Sequence, residues 1–227
     1  MIKLYVLKTE AFLEEKNFLK GCRLIDDTRL CKVKACKRKA DKARSLGCGL
    51  LLQYAMQETA GRDNCGWKKL KLEYMEKTGG KPYFAVPGAP FFSLSHSGNY
   101  AALALSWQEI GLDIQQIRPY GAGLAERVLS KPEYAQYQKA ETKKEQEKIF
   151  FCGWCARESY GKLTGKGLLL PLSEFFYNQK MQMIADVCCY TFPFGRDYYG
   201  GVCTASKIKT FPALRDVTDE ICEHILL

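Results

Sequence analysis

The stretch between Phe92 and Gln115 constrains the fold most. Phe92-Ser93-Leu94-Ser95 alternates apolar and polar side chains, residues 100–105 are continuously apolar, and residues 110–115 alternate again. Alternation marks a strand with one buried face, and a short apolar run marks a strand buried on both. His96-Ser97-Gly98-Asn99 between the first two reads as a turn. The expectation is an antiparallel meander. Leu112 and Ile114 turn to one face of its third strand, and Gly111, Asp113 and Gln115 to the other.

Helical patterns flank this centre. A strand at residues 2–7 opens the chain, and a basic helical stretch follows over residues 32–57, with Gly47 and Gly49 inside it. Residues 68–75 read as a strand through Leu70, Leu72 and Tyr74, ahead of a loop rich in glycine and proline. Arg118-Pro119-Tyr120-Gly121-Ala122-Gly123 is the best boundary, dividing the chain into halves 1–117 and 118–227. Beyond it, Ser130-Lys131-Pro132-Glu133 has the form of a capping box with proline near the helix start. A longer helix is expected over residues 145–163, with Gly165 as its C-terminal cap. Strands broken at Asn178-Gln179, Pro193-Phe194-Gly195 and Gly200-Gly201 complete an α+β chain, each half having helices and a small antiparallel sheet.

A chain of 227 residues, 47% hydrophobic and 26% charged, can bury a real core. It has no apolar run near the roughly 20 residues that span a bilayer, and its N-terminus lacks the pattern of a signal peptide. No membrane association and a cytoplasmic location are expected. The net charge of +9 favours an anionic partner without naming it: nucleic acid, an acidic membrane surface, a phosphorylated small molecule and an acidic protein all qualify. The eleven cysteines are irregularly spaced and read mostly as small buried hydrophobes in a reducing compartment. Cys152-Gly153-Trp154-Cys155 has redox or zinc spacing. It has no second such pair to complete a zinc site, and it lies late in the chain, inside a helical pattern.

Three places carry candidate chemistry. Asp113 reads either as a solvent-facing strand residue or, beside a Gly111 that suggests a close approach to the backbone, as a holder of a hard cation. Trp154, Glu158 and Lys162 share one helical face; the last two are either an exposed ion pair, stabilising by about 0.2–0.5 kcal/mol, or a second carboxylate for Mg²⁺ and a phosphate contact. Trp154 reads as a core residue fixing the helix on the sheet. Ser95-His96 stands at a turn, where sites are common. A nucleophilic Ser-His dyad is geometrically poor, because neighbours on a strand point to opposite faces. The basic run including Arg29, Lys32, Lys34, Lys37, Arg38, Lys39, Lys42 and Arg44 is in the main a solvated helix face.

Phe92-Ser93-Leu94-Ser95-His96-Ser97-Gly98, Ile110-Gly111-Leu112-Asp113-Ile114 and Trp154-Cys155-Ala156-Arg157-Glu158-Ser159-Tyr160-Gly161-Lys162 occur in that order, between Gly80-Lys81-Pro82 upstream and Gly165-Lys166-Gly167 downstream. Together they resemble the surfactin-type 4'-phosphopantetheinyl transferases, from roughly Arg29 to Leu172. The resemblance implies two similar subdomains related by a pseudo-twofold axis, with the site between them. It also implies transfer of the phosphopantetheine arm of coenzyme A to a serine of an acyl or peptidyl carrier protein, by a monomer that uses Mg²⁺ or Mn²⁺. By resemblance, Asp113, Gln115 and Glu158 hold the metal, and Glu158, Lys162 and Asp113 are catalytic. Arg29, Lys32, Arg44, Ser45, Lys81, Pro82, Ser95, His96 and Lys162 surround coenzyme A, with Ser95-His96 on its 3'-phosphate. Two positions depart from the pattern: Gln115 stands where many members carry an acid, and Arg157 where lysine is common. Two other readings stay open, a coenzyme A-binding member without transfer, and a basic module binding nucleic acid.

Overall fold

In the computed structural model the described residues are 2–61, 67, 69–76, 80–165, 167, 182–184, 186–205, 210 and 212–226. The expected break at Asn178-Gln179, and Lys166, lie outside them. The chain begins with β1 (Ile2–Lys8), a single 3-10 turn at Glu10–Leu13, and three helices, α1 (Glu15–Cys22), α2 (Asp27–Ala35) and α3 (Lys39–Thr59). Then come β2 (Tyr74–Glu76), β3 (Pro82–Phe84), β4 (Phe91–Ser97), β5 (Tyr100–Ser106) and β6 (Ile110–Gln116). The second half holds α4 (Ala122–Val128), α5 (Lys131–Lys139), α6 (Lys143–Thr164), β7 (Gln182–Ile184), β8 (Val187–Phe194), β9 (Tyr198–Thr204), β10 (Leu214–Asp216) and α7 (Thr218–Leu226).

Two four-stranded sheets carry this α+β architecture. The first runs β10-β1-β5-β4, with β10 parallel to β1 and the other neighbours antiparallel; the second runs β6-β9-β8-β7, antiparallel throughout. The long helix α3 packs on the first sheet and α6 on the second, so each half repeats one sheet and one long helix. Leu46, Leu50, Phe92 and Leu103 belong to the core of the first half, and Phe150, Phe151 and Cys155 to that of the second. A third cluster of Leu4, Ala102, Ala104, Leu112, Ile114 and Val202 draws on strands of both sheets. Among the described residues no helix is long and apolar enough to cross a membrane.

The expected meander is corrected. β4 and β5 form the hairpin, but β6 leaves them and pairs with β9 as the edge of the second sheet. Gly111 supplies one reason. A Cβ there would lie 1.9 Å from the Ser159 carbonyl oxygen and 2.6 Å from the Leu163 nitrogen, so only glycine lets the backbone of α6 lie flat on β6. The two edge strands, β4 and β6, are then stitched by side chains. Ser93, Ser95 and Ser97 accept hydrogen bonds from the backbone N–H groups of Leu112, Ile114 and Gln116 at 2.9, 3.1 and 3.0 Å. The serines are therefore buried as well, while on the other face Phe92 is in the core, Leu94 is half-buried and His96 is exposed, so alternation does not separate a buried face from an exposed one. Each outer N–H of β6 would otherwise be orphaned, at about 1–3 kcal/mol apiece.

Other boundaries shift too. The helical stretch over residues 32–57 is two helices, because Cys36 and Arg38 take extended conformations that end α2 and start α3. The strand expected over residues 68–75 is paired only from Tyr74. The halves interleave: β6 sits in the second sheet, while β10 and α7 return to the first. Not all described cysteines are free thiols: Cys189 and Cys203, directly opposed in β8 and β9, are joined in a disulfide. Cys152 and Cys155 are free and buried, and burial raises both thiol pKa values.

Candidate active site

The site lies where β4, β6 and α6 meet. Gly111 and Asp113 share one face of β6, so the packing that sets Gly111 under Ser159 also turns Asp113 toward α6. Asp113 is only 6% exposed. Its Oδ1 accepts from Ser95 Oγ at 2.8 Å and from Lys162 Nζ at 2.7 Å. Its Oδ2 is buried with no hydrogen-bond partner. The neighbouring Cys155 thiol donates instead to the Tyr199 carbonyl at 3.5 Å. Glu158 stands one turn before Lys162 on α6. Burial first, and then the charge of Asp113, raise its pKa, while Lys162 pulls the other way.

Asp113 thus binds the Lys162 ammonium, and Glu158 is near enough for the charges of both to act on its carboxyl. A buried carboxylate oxygen without a partner, next to a second acid whose ionised form is disfavoured, fits a divalent cation. Among the described residues no group of three or more His, Cys, Asp or Glu side chains could hold a metal. Mg²⁺ does not require one, since it takes one or two carboxylates and completes its shell with water and phosphate oxygens. Gln115 follows Asp113 on the same strand face, but its amide donates to the Gln116 carbonyl at 3.1 Å and lines a separate groove with Tyr120, Phe150 and Trp154. Trp154 is half-buried at that groove, not fully in the core.

Beside the carboxylates opens a cavity of about 260 Å³ whose walls include Arg29, Lys32, Lys81, Pro82, His96 and Lys162. Asp26 caps α2 by accepting the Arg29 N–H at 2.8 Å, which fixes the turn that carries Arg29. Arg29 Nε is buried without a hydrogen-bond partner. Gly49 of α3 makes room for this side chain, since a Cβ there would lie 2.6 Å from Arg29 Cγ. Lys32 pairs with Glu76. Lys81 pairs with Glu109 and donates to the Leu163 carbonyl at 2.7 Å, which ties the Gly80-Lys81-Pro82 segment to the end of α6. His96 is open to solvent at the cavity wall. Partial burial among protein atoms, then the charges of Arg44, Lys162 and Arg29, lower its pKa.

Three expected contacts, Arg44, Ser45 and Ser95, are not among the residues that wall the cavity. Arg44 binds Asp41 and donates to the Gly98 carbonyl at 2.9 Å, holding α3 to the β4–β5 turn. Ser45 is buried in α3 and is not part of the cavity lining. Arg157, 2% exposed, is not part of the cavity wall: it pairs with Glu133 and donates to the Gly153 carbonyl at 3.0 Å. Glu133 also closes the capping box of α5 by accepting the Ser130 N–H at 2.8 Å. Sequence reasoning missed both the pairing of Glu133 with Arg157 and the bonding of the serines to β6. The Ser-x-Ser-x-Ser spacing of period two was the signal for the second; nothing local marked the first.

The model of the 4'-phosphopantetheinyl transferase superfamily matches residues 109–192, from the start of β6 through α6 into β8. The chain is similar to a 4'-phosphopantetheinyl transferase of Bacillus subtilis, 35% identical over 145 residues, 62% of this chain and 61% of that one. It is 34% identical to the B. subtilis 4'-phosphopantetheinyl transferase ffp over 158 residues, 67% of each chain. It is 38% identical to the 4'-phosphopantetheinyl transferase Sfp of B. subtilis strain 168 over 109 residues, 47% of each. The matched stretch spans between 47% and 67% of these relatives' own lengths.

Proposed function

The chain belongs to the 4'-phosphopantetheinyl transferase superfamily, and on that premise we propose that it transfers the 4'-phosphopantetheine arm of coenzyme A to a serine of an acyl or peptidyl carrier protein. One observation carries the reading. Asp113 and Glu158 converge from β6 and α6 beside a cavity walled by Arg29, Lys32, His96 and Lys162. Acid and cation together suit a ligand that carries a pyrophosphate and a further phosphate. The cavity is smaller than the roughly 300–1,000 Å³ that encloses a small ligand, so coenzyme A would lie partly in solvent.

Asp113 and Glu158 are the residues that would hold Mg²⁺ or Mn²⁺. When bound, the ion would offset negative charge on the pyrophosphate. Glu158 is suited to accept the proton of the carrier serine, because burial and Asp113 have already raised its proton affinity. The serine oxygen forms a bond to the β-phosphorus of coenzyme A, and the bond to the bridging oxygen breaks. The electron pair leaves with 3',5'-ADP. Lys162, on the cavity wall, is placed to offset charge on that leaving group. Lys32 and Arg29 would meet phosphate from α2.

The test is incubation with coenzyme A, Mg²⁺ and an apo carrier protein, read by intact mass. A carrier heavier by one phosphopantetheine is expected, and chelator should prevent the gain. Coenzyme A binding without any mass gain across fatty-acid, polyketide and nonribosomal peptide carriers would favour a binding protein. Salt-sensitive binding to DNA, with no response to coenzyme A, would favour the nucleic-acid reading.

A further inference from the structure

Ser95 is the side chain that joins the two halves at the carboxylate site, and its hydrogen-bonding capacity is fully spent there. A serine hydroxyl has one donor and two acceptor lone pairs. Ser95 donates to Asp113 Oδ1 at 2.8 Å, and accepts from the Ile114 N–H at 3.1 Å and from Lys162 Nζ at 3.0 Å. The side chain is 6% exposed. Contact with a phosphate oxygen would require its one donor to leave Asp113. His96, the next residue, points the opposite way, into solvent at the cavity wall.

We propose that Ser95 is a positioning residue for Asp113, not a ligand of coenzyme A phosphate. The proposal rests on the transfer reading above. The Ile114 N–H fixes the Ser95 oxygen, and the Ser95 hydroxyl fixes Oδ1. The orphaned Oδ2 is then presented toward the cation site in one orientation. Second-layer hydrogen bonds of this kind orient metal-binding carboxylates and set their affinity. Ser97 gives an internal control. It accepts the Gln116 N–H at 3.0 Å, as Ser95 accepts that of Ile114, and it is buried, but it makes no contact with Asp113.

The experiment compares Ser95→Ala, Ser95→Thr and Ser97→Ala in the full chain. Binding of Mn²⁺ is followed by loss of the free-ion EPR signal, with the metal alone, with coenzyme A and with dephospho-coenzyme A. Both alanine variants orphan one backbone N–H and should lose similar melting temperature. Only Ser95→Ala should weaken Mn²⁺ binding, by about 10–100-fold, equally with either nucleotide, and Ser95→Thr should restore it. Unchanged Mn²⁺ affinity in Ser95→Ala, or an equal loss in Ser97→Ala, would overturn the proposal. So would a loss seen with coenzyme A but absent with dephospho-coenzyme A, which would return Ser95 to the 3'-phosphate. A chain that binds no Mn²⁺ at all overturns it as well. If the unmutated protein modifies no carrier, yet Ser95→Ala still weakens Mn²⁺ binding, the transfer reading fails and the positioning role stands.

Discussion

Under the proposed transfer, Glu158 would be set for reaction at a cost to the fold. Its pKa lies above the usual 4.5 because burial and the charge of Asp113 disfavour its ionised form, and Lys162 offsets only part of this. Below about pH 4.5 the group is protonated in both folded and unfolded chains and has no effect on stability. As pH rises, the unfolded chain ionises first, so stability is lost through this interval, and the full cost persists above the folded pKa. Glu158→Gln removes the charge and keeps the shape. The variant should melt higher than the unmutated protein at pH 7, and the gap should close toward pH 4. Carrier modification should fall by about 100-fold or more, the range expected for loss of a general base. Equal melting temperatures at pH 7 would mean that Glu158 carries no such cost.

At the scale of the element, α6 decides whether a site exists. Its backbone rests on β6 at Gly111 and on β9 at Gly201, where a Cβ would lie 2.5 Å from the Cys155 carbonyl oxygen. Gly111→Ala should therefore lift the helix from the sheet, lowering stability by about 1–3 kcal/mol, the usual range for overpacking. Separating Asp113 from Glu158 should remove transfer as well. Gly123→Ala in α4 meets nothing within 4 Å and should leave activity intact, with stability unchanged or raised by about 0.4–1 kcal/mol. Denaturant titration of both variants checks this, and a Gly111→Ala protein as stable as Gly123→Ala would refute the close-contact account. Helices α5 and α6 were legible in the sequence because their signals are local, whereas α1, α4 and α7 were not expected and α2 and α3 were read as one stretch. Ser130 and Glu133 cap α5, and Gly165, at φ 73°, closes α6. The close approach at Gly111 was legible too, as an anomaly within a strand pattern. The partner of β6 was not, because a strand edge is chosen by whatever packs beside it, here an α6 that begins 27 residues after β6 ends. The Glu133–Arg157 pair was hidden for the same reason: it joins α5 to α6, and no spacing rule connects positions 133 and 157.

At the scale of the whole molecule, the two halves meet through a polar seam as well as an apolar one. The serines of β4 bond the backbone of β6, Lys81 reaches from the first half to the Leu163 carbonyl of α6, and Lys162 reaches back to Ser95. A nucleotide in the cavity would touch Arg29 and Lys32 of α2 and Lys162 of α6 together, and so act as a further clasp between the halves. At about 100 times its dissociation constant, a ligand that binds only the folded chain stabilises it by roughly 2.7 kcal/mol. For a protein of this size that is a rise in melting temperature of roughly 5–10 °C. Coenzyme A with Mg²⁺ should produce a rise of this order, and raised salt should reduce it, since cations supply much of the contact. The cations should also divide by role. Arg29→Ala should shrink the shift, because its buried Nε, now without a partner, would lose its phosphate. Lys162→Ala should mainly slow transfer, and should leave much of the shift, because this side chain is already engaged with Asp113. A shift that survives Arg29→Ala undiminished would place the phosphates elsewhere on the molecule. Its absence in the unmutated protein, under conditions where the protein is folded, would mean that the seam carries no nucleotide at all.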